Sequence, residues 1–132
     1  MSGNAAERIE QIIEDDGPHL EQLLAAIAQV ESGSDPNAYN EAEQAAGMFQ
    51  LRPIYVKDVN RILNYDGYSL EDRYDPNKCV QMMCVYWAHY LNPDRIGRYP
   101  TYEDYARVHN GGPDGHKKAS TRAYWKKVKD AM

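Results

Sequence analysis

The 132-residue chain is poor in cysteine, with two, and in phenylalanine, with one. It has no apolar run near the roughly 20 residues that a bilayer span needs. Two thiols cannot staple a secreted disulfide scaffold, and Cys79 and Cys84, five apart on a helix, point in different directions. No CxxC or HExxH is present, and His19, His89, His109 and His116 are scattered, so neither a metal site nor a cofactor is expected. Met1-Ser2-Gly3-Asn4 opens into a charged stretch without an apolar h-region, so no signal peptide is expected in this chain. Basic residues are scarce in the first half. Residues 1–50 hold ten Asp/Glu and only Arg8, for −9, and residues 51–132 hold ten Asp/Glu and fourteen Lys/Arg, for +4, which sums to the net −5. A net-acidic chain argues against nucleic-acid binding. The late basic cluster, Lys117, Lys118, Arg122, Lys126, Lys127 and Lys129, reads as a solvated helix face or a contact for an anionic polymer.

Apolar residues make up 42% of the chain, including eleven tyrosines, enough to bury about two-thirds of the surface of a single domain. Their period is helical nearly throughout, which predicts a compact all-α domain of five or six helices. Asn4 with Glu7 resembles a capping box. Gly17-Pro18 is expected to stop one helix and start the next, whose stripe is Leu20, Leu23, Leu24, Ile27 and Val30. Residues 34–46 are polar and irregular, with room for at most a small β-ribbon. Further helices are expected from Pro53 to about Leu63, from Asn77 to Leu91, from a Thr101 cap to Asn110, and from about Thr121 onward. The second of these is apolar almost all round, as a central helix should be. A loop is expected between Asn92-Pro93 and Tyr99-Pro100.

Glu31 is the outlier. It lies eleven residues after Leu20, seven after Leu24 and four after Ile27, so a carboxylate extends an apolar stripe. It also stands at a helix C-terminus, where the dipole disfavours an anion. Desolvation and dipole both favour the protonated carboxyl, the form that a general acid needs. The plainer reading is a side chain that turns outward at a frayed end. The thirteen-residue polar loop after it ends on Gly47-Met48-Phe49-Gln50-Leu51, either an ordinary lead-in to a helix or a site edge where Gly47 allows close approach and Gln50 both donates and accepts. His109-Asn110-Gly111-Gly112-Pro113 is either a helix cap with a core histidine or a second site edge. Residues 35–46 are not a calcium loop, since Asn40 and Ala46 replace its required Gly and Glu.

These segments together resemble the soluble lytic transglycosylase family, relatives of goose-type lysozyme, from about Leu20 to Val128. Ala25 to Gly33 is similar to the family's catalytic helix, which ends in Glu-Ser-Gly. Asp35-Pro36-Asn37-Ala38 continues it, Ala46 to Pro53 is similar to the Gly-Leu-Met-Gln segment, Asp75-Pro76 with Tyr90-Leu91 to the central helix, and Ala106 to Pro113 to the Tyr-Asn-Ala-Gly segment. The resemblance implies a lysozyme-like α-rich domain over residues 1–132. It would cleave the MurNAc–GlcNAc β-1,4 bond of peptidoglycan with Glu31 as the single acid/base and give 1,6-anhydro ends. It further implies that Gln50 and Asn110 hold sugar groups, that the Gly47, Met48 and Phe49 backbone lines the cleft, and that Ser32, His109 and Gly111 contribute to substrate binding. Peptidoglycan strands are the expected partner of a monomer with no membrane insertion, made in the cytoplasm and acting on the cell wall, as a phage lysis or virion enzyme would. Two departures matter. His109 stands where the family has a tyrosine, so the hydrogen bond to Glu31 would come from an imidazole or from another tyrosine. Asp35, Glu41 and Glu43 could each act as a second carboxylate, which would make the chain an inverting muramidase. A non-catalytic glycan-binding module and a chitin-acting enzyme are the remaining alternatives.

Overall fold

The computed structural model describes the backbone from residue 5 and side chains from residue 19. The Asn4 capping box and the side chains of the first helical stripe lie outside the described residues. Among the described residues there are six α-helices and one two-stranded ribbon: α1 (Ala5–Ser32), β1 (Tyr39–Asn40), β2 (Ala45–Ala46), α2 (Pro53–Leu63), α3 (Pro76–Tyr90), α4 (Pro93–Ile96), α5 (Tyr102–Gly111) and α6 (Arg122–Ala131). The all-α reading with a minor ribbon in the 34–46 loop holds. The helices divide differently. α1 runs without a break through Gly17-Pro18, correcting the expected stop. An interior proline removes one ladder bond and crowds the carbonyl four residues back, a cost offset by burial of Leu20, Leu23 and Ile27 in the turns that follow. A helical turn at Pro93–Ile96 replaces the expected loop, started by the Asn92 side chain, which accepts from the Asp94 N–H at 2.9 Å, and closed by Gly97 at φ 80°. Residues Leu70–Tyr74 form a 3₁₀ turn that sequence periodicity did not mark.

α3 is the central element. Met82, Met83, Cys84, Val85 and Trp87 are all at most 1% exposed, and α1, α2 and α5 pack around it. The Trp87 indole N–H donates to the Tyr105 carbonyl at 3.0 Å, tying α3 to α5. Cys79 and Cys84 are free and buried, and burial pushes both thiols up to about 12, so they act as small core residues. No helix among the described residues is long and apolar enough to cross a membrane.

Three devices shape the side of this core where Glu31 emerges. The ribbon pairs Tyr39 with Ala46 and Asn40 with Ala45. Behind it, Arg73 is 6% exposed and is satisfied by carbonyls: Nη1 donates to Gln44 O at 2.7 Å and to Leu51 O at 3.0 Å, and Nε to Leu70 O at 3.0 Å. The close approach needs Gly47, where φ is 84° and a Cβ would fall 1.7 Å from the Arg73 carbonyl oxygen. On the other side, Thr121 Oγ1 donates to Gly115 O and Lys118 O and accepts from Arg107 Nε at 2.8 Å, which fixes the chain between α5 and α6.

Candidate active site

α1, the turn of the ribbon, α2, α3, α5 and the segment that leads into α6 line a cleft of about 920 Å³. Glu31 stands in its wall, on the last turn of α1, with its side chain 20% exposed. The stripe that buries Leu20, Leu23 and Ile27 also carries Glu31 inward, and the outward turn at a frayed end is not what is found.

A tyrosine and a histidine face the same carboxylate oxygen. Tyr124 Oη donates to Glu31 Oε2 at 2.7 Å. Burial, together with the neighbouring Glu31 carboxylate, raises the Tyr124 hydroxyl far above its ordinary value, so it remains protonated and a donor at every working pH. His109 Nε2 lies 3.5 Å from the same oxygen and 2.9 Å from Phe49 O. A carbonyl only accepts, so Nε2 carries the proton. The imidazole is 2% exposed, and its Nδ1 is buried without a partner among the described residues. Tyr55 packs edge-on to His109, with ring centroids 6.3 Å apart, and stacks on Tyr86 at 4.2 Å, forming an aromatic floor.

The other sequence-derived candidates separate into two groups. Gln50, Asn110 and Gly111 line the cleft with Glu31 and His109. Gln50 sits at φ 55° and donates from Nε2 to Gly47 O at 3.0 Å, holding the tight turn that it closes. Ser32, Gly47, Met48 and Phe49 lie behind the wall and are outside the cleft lining. Ser32 Oγ donates to Met48 O at 2.7 Å and accepts from the Asp35 N–H at 3.0 Å, so it pins the end of α1 to the loop. Gly47 and Phe49 are buried, and the Phe49 carbonyl is taken by His109. Among the three candidate second carboxylates, only Glu43 lines the cleft, ion-paired with Arg52, which also lines it. Asp35 closes its own turn by accepting from the Asn37 N–H at 2.9 Å. Glu41 is exposed on the ribbon.

Residues 10–132 match the Transglycosylase SLT domain. The chain belongs to the Transglycosylase SLT domain family. It is a lysozyme-like member of this family of peptidoglycan-cleaving domains. It is 33% identical to a lysozyme of Magallana gigas over 107 residues, 80% of this chain and 74% of the relative. It is 31% identical to lysozyme 1 of Crassostrea virginica over 82% of this chain and 57% of the relative. Among solved structures, a chain from the Aeromonas hydrophila PliI complex with Meretrix lusoria lysozyme has a TM-score of 0.70 at 28% identity, covering 83% of this chain and 88% of that one. An inhibitor-bound lysozyme from Meretrix lusoria has a TM-score of 0.69 at 26% identity over the same shares.

Three residues of this SLT domain's site escaped the sequence. Tyr124 lies 93 positions from Glu31 and reads as a core position of the α6 stripe. A hydroxyl on an otherwise apolar face was the available signal. Asp58 and Arg61 line the cleft from α2 in a network with Tyr90, whose Oη donates to Asp58 Oδ2 at 2.5 Å while Arg61 Nε donates to Asp58 Oδ1 at 2.8 Å. Of the late basic cluster, Lys118 reaches the cleft, donating from Nζ to Gly111 O at 2.7 Å, while Arg122, Lys126, Lys127 and Lys129 stand exposed on α6.

Proposed function

We propose that the chain cleaves the MurNAc–GlcNAc β-1,4 bond of bacterial peptidoglycan by hydrolysis, as a muramidase, with Glu31 as the general acid. The observation that carries this reading is the Tyr124 hydroxyl bonded to Glu31 Oε2 in the wall of the cleft. Tyr124 Oη donates to that oxygen at 2.7 Å, and the His109 ring, its Nε2–H given to Phe49 O, stands 3.5 Å from it. The proton that Glu31 delivers to the glycosidic oxygen therefore sits on Oε1. Once the carboxyl is deprotonated, the Tyr124 hydroxyl stabilises the charge. Gln50 and Asn110 hold sugar groups on either side, and Tyr55 with Tyr86 presents an aromatic floor to the rings.

A hydrolase of this kind uses a second carboxylate to orient water or shield the sugar cation. Glu43 supports that role, because it lines the same cleft and its ion pair with Arg52 holds it there. The lysozyme names of the relatives favour the same outcome. One observation favours the transglycosylase alternative. Glu43 and Asp58 are both paired with arginines, whereas Glu31 has no arginine or lysine partner among the described residues. In that case the MurNAc 6-hydroxyl closes on the sugar and no water enters. Mass spectrometry of digested peptidoglycan tests the choice. Reducing-end muropeptides are expected, and products lighter by one water overturn hydrolysis in favour of transglycosylation. The action is on the cell wall in either case.

A further inference from the structure

A second cavity, of about 680 Å³, adjoins the cleft. Lys57 and Arg61, one helical turn apart on α2, line both spaces, so the two meet across the exposed edge of that helix. The outer wall of this cavity is the 64–70 segment, and it is built in place. Asn64 caps α2 in the left-handed conformation at φ 63°. The Asn60 side chain clamps Tyr68 from both sides, accepting from its N–H at 3.0 Å and donating to its carbonyl at 2.9 Å. Tyr68 Oη donates to Gln81 Oε1 at 2.9 Å. On this wall Tyr65 is 63% exposed and Leu70 47% exposed. The Tyr65 ring lies over Gly67, where a Cβ would come within 2.8 Å of it, so the ring is presented in one place.

The charges are also distinctive. Arg61 is neutralised by Asp58. Lys57 and Asp66 have no ion-pair partner among the described residues, and both line this cavity. A free cation, a free anion and two exposed apolar groups suit a short zwitterionic peptide better than a neutral sugar. The substrate of the proposed reaction carries such a branch. Each MurNAc can bear, on its lactyl group, a short peptide with free carboxylates and often a side-chain ammonium. A branch leaving a strand seated in the cleft needs a space beside the cleft.

We propose that the cavity between α2 and the 64–70 segment binds the peptide stem of peptidoglycan. Lys57 Nζ pairs with a stem carboxylate, Asp66 faces the stem ammonium, and Tyr65 with Leu70 covers its alkyl groups. This inference rests on the cleavage proposed above. The test compares kcat/KM on peptide-bearing strands with kcat/KM on strands stripped of peptide by an amidase. The wild-type enzyme is expected to prefer the peptide-bearing strand, and Lys57→Glu or Tyr65→Ala to lower that ratio about two- to fivefold, the range of a partly exposed ion pair or contact. The Lys57 effect should shrink in high salt. A ratio equal to one in the wild type, or unmoved in both variants, overturns the inference. If neither strand is cut, the cleavage reading has failed. Binding of the isolated stem tetrapeptide, read by NMR at the 64–70 amides, then decides the inference by itself: shifts there that vanish in Lys57→Glu support it, and their absence refutes it.

Discussion

The two walls of the cleft are built on opposite principles. On one side, Glu31, Tyr124 and His109 come from α1, α6 and α5 and lie largely out of water, with Tyr124 bonded to the carboxyl and the His109 ring beside it, bonded to Phe49 O. On the other side, Asp58 with Arg61 and Glu43 with Arg52 are paired charges near the surface. Hydrogen bonds in the dry wall are strong and geometrically demanding, and removing one partner leaves a buried group unsatisfied. Ion pairs in the wet wall are screened, and each contributes at most about 1 kcal/mol. The first wall is suited to moving a proton and the second to holding a polar polymer.

That contrast is broken most severely by loss of the Glu31 carboxyl itself. Next in size comes Tyr124→Phe. It removes one donor from Glu31 Oε2 and keeps the ring, so kcat should fall about tenfold, the effect of a hydrogen bond of about 1.5 kcal/mol, with KM little changed. An unchanged kcat would show that Tyr124 only packs. His109→Ala should also lower turnover clearly, because Glu31 and the Phe49 carbonyl both lose the imidazole. His109→Tyr, which restores the hydroxyl of the family pattern, should keep much of the activity. Full activity in both variants would make His109 a core residue only.

Asp104 sharpens the comparison from the side of stability. It is 3% exposed at the start of α5. Burial alone would raise this carboxyl, but hydrogen bonds from Arg98, the Thr101 N–H and the Thr101 hydroxyl hold it below 3.8. A depressed folded value means that the stabilisation is present above about pH 3.8 and is lost as pH falls through the folded value. Asp104→Asn should therefore cost about 1–2 kcal/mol near pH 7, as loss of a helix cap does, and the cost should fade in acid. Thermal unfolding across pH 2–7 checks this, and a pH-independent difference would contradict it. The smallest effect belongs to the wet wall. Arg61→Ala should change kcat less than about threefold, because the Asp58 pair is screened by water.

Much of this division is visible in the sequence, and the remainder has physical reasons for being hidden. Helical periodicity carries Glu31 into the wall because spacings of four, seven and eleven residues fix a face whatever lies opposite. The same local logic finds Thr101 as a cap and Asn64 as a stop. It fails at Gly17-Pro18, where tertiary burial of the following stripe outweighs one lost backbone bond. It also fails at Tyr124 and Arg73, whose partners are remote: Tyr124 meets Glu31 across 93 positions, and Arg73 holds the Gln44 and Leu51 carbonyls across 29 and 22. Ser32, Met48 and Phe49 belong to the motif segments that mark the site, yet they stand behind its wall. A motif can identify a neighbourhood without assigning each side chain to the face that meets substrate.

The most direct test is turnover of purified Glu31→Gln on peptidoglycan, with thermal unfolding of the same sample as its control. Glutamine keeps the shape and can still accept from Tyr124 Oη, but it cannot deliver a proton. Turnover should fall by about 10²–10⁴-fold, the contribution of a positioned general acid, with the unfolding midpoint unchanged or raised. Retained turnover, or a midpoint lowered as by an ordinary core lesion, would contradict the assignment of Glu31 as the catalytic acid.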